Sequence, residues 1–297
     1  MTSPAAERPC GWLVLDKPGG MTSMRALTQI KRLVRGVKVG HAGTLDPLAT
    51  GVLPVAVGEA TKTIPFVMGG AKRYRFTVRW GEARATDDVE GEVTATSSAR
   101  PTERDIGAAL PDFEGEVMQT PPAFSAIKVK GQRAYRLARA GTPAVLAARP
   151  VRVDSFTLVE CEDRECASFE VRCGKGVYVR ALARDLATRL GTLGHVVALR
   201  RTQAGPFEER DAISLDNLPN LGHSTGLGEM LLPLRAALAE LPTVEVSSGA
   251  ARQLRLGQAV DVGGVERGVV YVTAEGRPLA LARIEGGVAR PERIFNT

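Results

Sequence analysis

The sequence predicts an α/β fold of the α+β kind: a mixed, mostly antiparallel sheet flanked by helices, followed by a small C-terminal β-barrel. Three observations predict it. Strand-like alternation recurs along the larger, N-terminal part of the 297-residue chain. Between those strands lie stretches with apolar residues at helical spacing. From Pro242 onward the pattern changes to short strands around one small helix. This places a boundary between a domain at 1–241 and a second at 242–297.

Taken in order, Trp12 to Leu15 is an apolar run stopped by Lys17-Pro18-Gly19-Gly20. Thr22 or Ser23 caps a helix reaching about Val34, with Leu27, Ile30 and Leu33 at helical spacing. A glycine-punctuated loop, Gly40 to Gly51, precedes a strand at Val52 to Val57. Tyr74 to Trp80 alternates as a strand with one buried face. Helices are expected at Thr102 to Leu110 and at Gln132 to Ala140, where Arg133, Arg136 and Arg139 would share one face. Val151 to Glu160 and Ser168 to Cys173 read as paired strands, followed by a helix from about Val179 to Leu190. Asn217 to Gly228 is the most linker-like stretch, and a short helix is expected at Glu229 to Leu241. In the last segment, Gly249 to Leu256 reads as a helix, with strands at Val269 to Val272 and Leu279 to Ile284.

Composition narrows the function. No run approaches the ~20 apolar residues of a membrane helix, and Met1 to Pro9 lacks the layout of a secretion signal, so a cytoplasmic protein is expected. The cysteines (10, 161, 166, 173) form no CxxC pair, and the three histidines (41, 195, 223) are scattered. Neither a metal nor a disulfide framework is expected. The net charge of +6 is concentrated. Between Pro121 and Pro150 stand Lys128, Lys130, Arg133, Arg136, Arg139 and Arg149 without one acid, while the other 33 basic residues match 33 acidic ones. Phe124 and Tyr135 lie in the same segment. Such a patch is the footprint of a phosphate-backbone reader.

Three clusters carry candidate chemistry: Asp16 to Ser23, Gly40 to Gly51 around Asp46-Pro47, and Gly174 to Arg180. Taken singly, each has a plain reading: a capped turn, an Asp-Pro turn, and a surface arginine in the first turn of a helix. Together they resemble the bacterial tRNA pseudouridine-55 synthase (TruB) family. Gly40 to Gly51 reproduces the pattern GHxGxLDPxATG, Lys175 to Leu186 reproduces KGxYxRxLxxDL, and Gly194-His195 to Phe207 is similar to the closing core motif.

That resemblance implies a pseudouridine synthase fold and a C-terminal PUA-like RNA-binding domain. It also implies isomerisation of the T-loop uridine of tRNA after base flipping, without cofactor or metal. Asp46 would be the nucleophile, or would assist loss of a sugar proton. Arg180 would pair with it, and Tyr74 would stack on the flipped base. His41, Tyr178, Leu199 and Asp88 would contact substrate or line its pocket. Lys17 and Pro18 would support the catalytic loop at the RNA-binding site. Lys128, Lys130, Arg133, Arg136 and Arg139 would belong to an insertion, 121–150, that grips the T-arm. A monomer needing no protein partner is expected. One departure stands out: where the family carries TDTxDxxG, this chain has Arg84-Ala85-Thr86-Asp87-Asp88-Val89-Glu90-Gly91, read here as a solvated acidic turn. Two alternatives remain: a guide-RNA-dependent pseudouridine synthase, and a non-catalytic RNA-binding or tRNA-folding protein on the same scaffold.

Overall fold

The strands in chain order are β1 (Gly11–Lys17), β2 (Val39–His41), β3 (Thr50–Val57), β4 (Lys72–Trp80), β5 (Glu82–Arg84), β6 (Val93–Thr96) and β7 (Gly115–Gln119). There follow β8 (Lys128–Val129), β9 (Gln132–Arg133), β10 (Arg149–Glu160), β11 (Cys166–Cys173), β12 (Gly194–Ala204), β13 (Phe207–Glu208) and β14 (Ile213–Ser214). The last five are β15 (Thr243–Glu245), β16 (Val260–Asp261), β17 (Arg267–Ala274), β18 (Arg277–Glu285) and β19 (Val288–Ile294). The α-helices are α1 (Ser23–Leu33), α2 (Ile64–Gly69), α3 (Glu103–Ala109), α4 (Ala134–Arg139), α5 (Val179–Arg189) and α6 (Ser248–Arg255). The computed structural model describes residues 9–161, 163–217, 228–264 and 267–296. Most of the linker-like stretch Asn217 to Gly228 therefore lies outside the described residues.

One large sheet runs in the order β14-β1-β3-β12-β4-β11-β10-β7, with β2 added on β3 and β13 on β12. Among the described residues of this sheet, only β1–β14 and β3–β12 pair in parallel. The apolar run of β1 has a simple cause: both of its faces are covered. Leu13 and Leu15 enter the main core with α1, α3 and α5. Trp12 and Val14 pack on the opposite face with Val67 of α2, Phe207 and Ala237. Strand β4 instead buries Phe76, Val78 and Trp80 and turns Arg75 and Arg79 outward. In β10, Val151 and Val153 are buried and then Phe156, because an irregularity between Val153 and Ser155 shifts the parity.

The capped helices form as the sequence predicts. The Thr22 hydroxyl accepts from Arg25 N, and Thr102 with Asp105 makes a reciprocal capping box. Two expectations need correction. The helix expected at Gln132 to Ala140 begins only at Ala134, so Arg133 lies on β9 and does not share a helix face with Arg136 and Arg139. The reason is the Lys130-Gly131 turn: both residues have positive φ, which suits a tight two-residue hairpin joining β8 to β9. The helix expected at Glu229 to Leu241 is reduced, over its central part, to a 3-10 segment at Leu234–Leu238 that follows Pro233.

The C-terminal segment forms a separate five-stranded sheet, β15-β17-β18-β19-β16, which curls around its own core of Val270, Val272, Ala280, Ala282 and Ile284. α6 contributes Ala251 and Leu254 to that core. Tyr271, Leu281 and Phe295 then dock on Leu234 and Leu238, joining the module to the first domain.

Candidate active site

The Asp46 loop connects β2 to β3 and is clamped from beneath by the Asp16–Ser23 motif. Lys17, at the end of β1, is fully buried and donates to the carbonyls of Pro18 (2.8 Å), Met21 (2.6 Å) and Pro47 (3.3 Å). Ser23 holds the residue before Asp46 from both sides: its hydroxyl donates to Leu45 O (3.0 Å) and accepts from Leu45 N (2.8 Å). Gly20 N also donates to Pro47 O at 2.9 Å. Burial, with the nearby Arg201 cation, brings the Lys17 ammonium down to about 8, partly opposed by Asp46. An ammonium enclosed this way has no donor left for RNA. Lys17 therefore braces the loop rather than contacting substrate, whereas Pro18 is exposed.

Asp46 and Arg180, 134 residues apart in sequence, meet at the N-terminus of α5: Arg180 Nε donates to Asp46 Oδ2 at 2.9 Å. Arg180 is not the surface charge that its position suggests. Its side chain is 4% exposed and uses every nitrogen. Nη1 donates to Thr86 O, Nη2 to Phe124 O at 3.0 Å, and Nε also lies 3.5 Å from Asp88 Oδ2. A cation at a helix N-terminus opposes the helix dipole, and two carboxylates offset that cost here. Asp46 itself is 35% exposed, open to an incoming group on one side.

The acidic turn is only partly solvated: Glu90 is exposed and Asp87 half-buried. Asp88 is buried, and its Oδ1 accepts from Thr86 Oγ1 and from Glu90 N. The turn is anchored by backbone bonds between Asp87, Val89 and Val196 of β12. Asp87 adopts φ 59° and pairs with Arg184 at 2.9 Å, one helical turn beyond Arg180. Burial pushes the Asp87 carboxyl upward, and Arg184 partly offsets this. Asp88 thus holds Arg180 from behind. At 3% exposed, it faces Arg180 and not the surface.

The other expected residues lie on β2, β4, β12 and the turn before α5. Tyr74 on β4 is half-buried against the core. Burial raises its phenol above the ordinary range, Asp46 adds to the rise, and Arg201 opposes it, so the ring stays neutral near pH 7. Tyr178 precedes α5, and Gln119 clasps its backbone, accepting from Tyr178 N (2.8 Å) and donating to Tyr178 O (3.2 Å). The Arg149 guanidinium lies 5.5 Å from the Tyr178 ring centroid, so this arginine is tied to the pocket rather than to the basic surface. Leu199 on β12 is almost buried. His41 on β2 has a buried Nδ1 without a hydrogen-bond partner among the described residues, and burial and Arg201 hold its imidazole below the usual value.

Lys128, Lys130, Arg133, Arg136 and Arg139 are all exposed and form no ion pair among the described residues, with Arg139 resting 5.9 Å from the Tyr135 ring centroid. Their segment is joined to the centre through Phe124, whose carbonyl takes Arg180. No group of three or more His, Cys, Asp or Glu side chains suited to a metal occurs among the described residues. Sequence reasoning missed Ser23 and Arg201. Their only signal was membership of the motifs, because both types are normally expected at the surface.

Comparison with known proteins identifies the family. Residues 31–179 match the TruB family pseudouridylate synthase N-terminal domain, and residues 180–239 match the tRNA pseudouridylate synthase B C-terminal domain. The chain is 54% identical to the tRNA pseudouridine synthase B of Bradyrhizobium diazoefficiens over 96% of its length and 86% of the relative's. It is 50% identical to that of Gluconacetobacter diazotrophicus, covering 96% and 97%. Among solved structures, a Cbf5-Nop10-Gar1 complex superposes with TM-score 0.74 at 27% identity, covering 99% of this chain and 91% of that one. An H/ACA RNP bound to a substrate RNA containing 2'-deoxyuridine gives 0.73 at 25%, covering 97% and 85%. With both models matched and relatives identical at half of their positions or more, this chain belongs to the TruB family of pseudouridylate synthases.

Proposed function

We propose that the chain isomerises the T-loop uridine of tRNA, position 55, to pseudouridine, with Asp46 as nucleophile. The observation that carries the proposal is the partly open Asp46 carboxylate, aimed by a buried arginine and flanked by a neutral tyrosine. A loop uracil must first be extruded, at a cost of a few kcal/mol. Contacts of the exposed insertion and of the C-terminal module, read as a PUA-like RNA-binding domain at 242–297, offset that cost.

In the pocket the flipped uracil stacks on Tyr74. Asp46 attacks C1′, or assists loss of a sugar proton, as the N1–C1′ bond breaks and its electrons pass to the base. The uracil turns, C5 bonds to C1′ and the carboxylate is released. The C5 proton passes to solvent beside the Tyr74 oxygen, and N1 regains a proton from solvent. Atoms balance, so an isomerisation needs no co-substrate. Arg180 holds the Asp46 carboxylate in place through its Nε bond and balances its negative charge. The same reading makes the protein a cytoplasmic monomer acting on the T-arm.

A guide-dependent synthase is the second reading, favoured only by the structural neighbours, which are multi-component complexes. Purified protein and an unmodified tRNA transcript, without added metal, nucleotide or partner, separate the two. Conversion of the single T-loop uridine by wild type and none by Asp46→Ala is expected. No conversion despite tight binding would favour a guide-dependent or RNA-folding role.

A further inference from the structure

Arg201 on β12 stands between β3, which the Asp46 loop leads into, and β4, which carries Tyr74. Across the sheet it faces Gly51 of β3 on one side and Tyr74 of β4 on the other. It is 2% exposed. Its neighbour Arg200 is held by Asp16 and Glu209, whereas Arg201 forms no carboxylate ion pair among the described residues. Its bonds go to backbone: Nε donates to Val52 O at 2.8 Å and Nη2 to Gly43 O at 3.0 Å. Gly43 precedes Asp46 and Val52 follows it, so one planar guanidinium spans both ends of the catalytic loop.

Two glycines let the loop approach β12 closely, Gly51 at the backbone of residue 201 and Gly43 at its guanidinium. Gly51 has φ +97°, and a Cβ there would come within 2.2 Å of Arg201 O; Gly43 has φ +105°, with a Cβ position 3.4 Å from Arg201 Nη1. Lys17, His41 and Lys72 all feel the Arg201 charge unfavourably. A packing role alone would be served better by a neutral side chain.

We propose that Arg201 is the positioning residue that locks the Asp46 loop and the Tyr74 hydroxyl into one register. This inference rests on the roles given to Asp46 and Tyr74 above. Among the charged groups acting on Tyr74, Arg201 is foremost and lowers the phenol, against burial, Cys173 and Asp46, which raise it.

The test compares wild type, Arg201→Met and Arg201→Lys on one tRNA transcript under single-turnover conditions. Arg201→Met should slow conversion about a hundredfold, the scale of a small misplacement of reacting groups, with RNA affinity near that of wild type. The Tyr74 phenol titration, isolated by subtracting the matching Tyr74→Phe spectra, should move to higher pH. Arg201→Lys restores the charge but not the two-carbonyl bridge, so it should recover the phenol titration and little of the rate. A near-wild-type rate in either variant, a loss confined to RNA affinity, or an unmoved phenol titration would overturn the proposal. If Arg201→Met does not fold, the Arg201→Lys rate decides. An inactive wild type would sink the functional reading instead, while the phenol titration would still report on Arg201.

Discussion

Replacing Arg180 with Met tests whether the buried ion cluster is organised as described. The substitution leaves Asp88, 4% exposed, without a cation. Removing one partner of a buried pair costs about 3–5 kcal/mol. The Asp46 share is discounted, because that carboxylate is a third exposed and solvent screens it. At about 2–4 °C per kcal/mol for a chain of this size, the melting temperature should fall by roughly 6–20 °C. Activity should fall by about a hundredfold or more, on the scale of losing one preorganised electrostatic contact. The double variant Arg180→Met with Asp88→Asn separates the two effects. The asparagine amide oxygen can still accept from Thr86 Oγ1 and Glu90 N, as the Asp88 carboxylate does, but the side chain carries no charge. The double variant should therefore regain much of the lost stability and none of the activity. Circular dichroism melts and single-turnover conversion of a tRNA transcript measure both. An unchanged melt in the single variant, or a double variant no more stable than the single one, refutes the buried-cluster reasoning.

Asp46→Asn should leave no measurable conversion while RNA affinity, read by filter binding, stays near wild type; detectable turnover removes Asp46 as nucleophile. Lys17 and Lys72 are each lowered to about 8 from 10.5, mainly by burial. Because the folded values lie below the unfolded one, this cost is fully present below pH 8 and is relieved as pH rises from 8 to 10.5, by roughly 3 kcal/mol per lysine. The stability of wild type relative to Lys17→Met, followed by urea melts, should improve across that window, and a flat difference would contradict the enclosed ammonium. Replacing Lys128, Arg136 and Arg139 with Gln should weaken RNA binding and reduce its salt slope by about one unit per lost phosphate contact. A parallel salt plot would mean that this surface does not meet phosphate.

Much of the scaffold was legible because its local signals agree with its tertiary environment. Thr22 and Thr102 announce α1 and α3 by their capping chemistry, and the alternation of β4 survives because only one of its faces is buried. The failures at the centre share one physical cause. Periodicity treats an arginine, lysine or aspartate as a solvent-facing residue, yet the centre is built from such residues taken out of water: Lys17 under the loop, Asp88 behind Arg180, and Arg201 between β3 and β4. Each is buried because loops that leave the sheet ladder need partners for their backbone groups, and long cationic side chains reach several carbonyls at once. The hairpin at Lys130-Gly131 shows the same limit at the local level. The arginine spacing suggests a helix through Arg133, but a turn with two positive φ angles makes residues 132–133 a strand.

That cause also explains why the site is more constrained than its motifs suggest. Among the described residues Asp46 has a single side-chain partner, but its loop is fixed at Gly43, Leu45, Pro47 and Val52 by Arg201, Ser23 and Lys17. These clamps come from β12, α1 and β1, elements far apart in sequence that the sheet order brings together. A substitution in any of them moves the carboxylate without touching it. Losses of rate with RNA affinity retained are therefore expected at Ser23 and Lys17 as well as at Arg201. The exposed cations of the insertion should show the opposite division, because they act on binding and not on the geometry of attack.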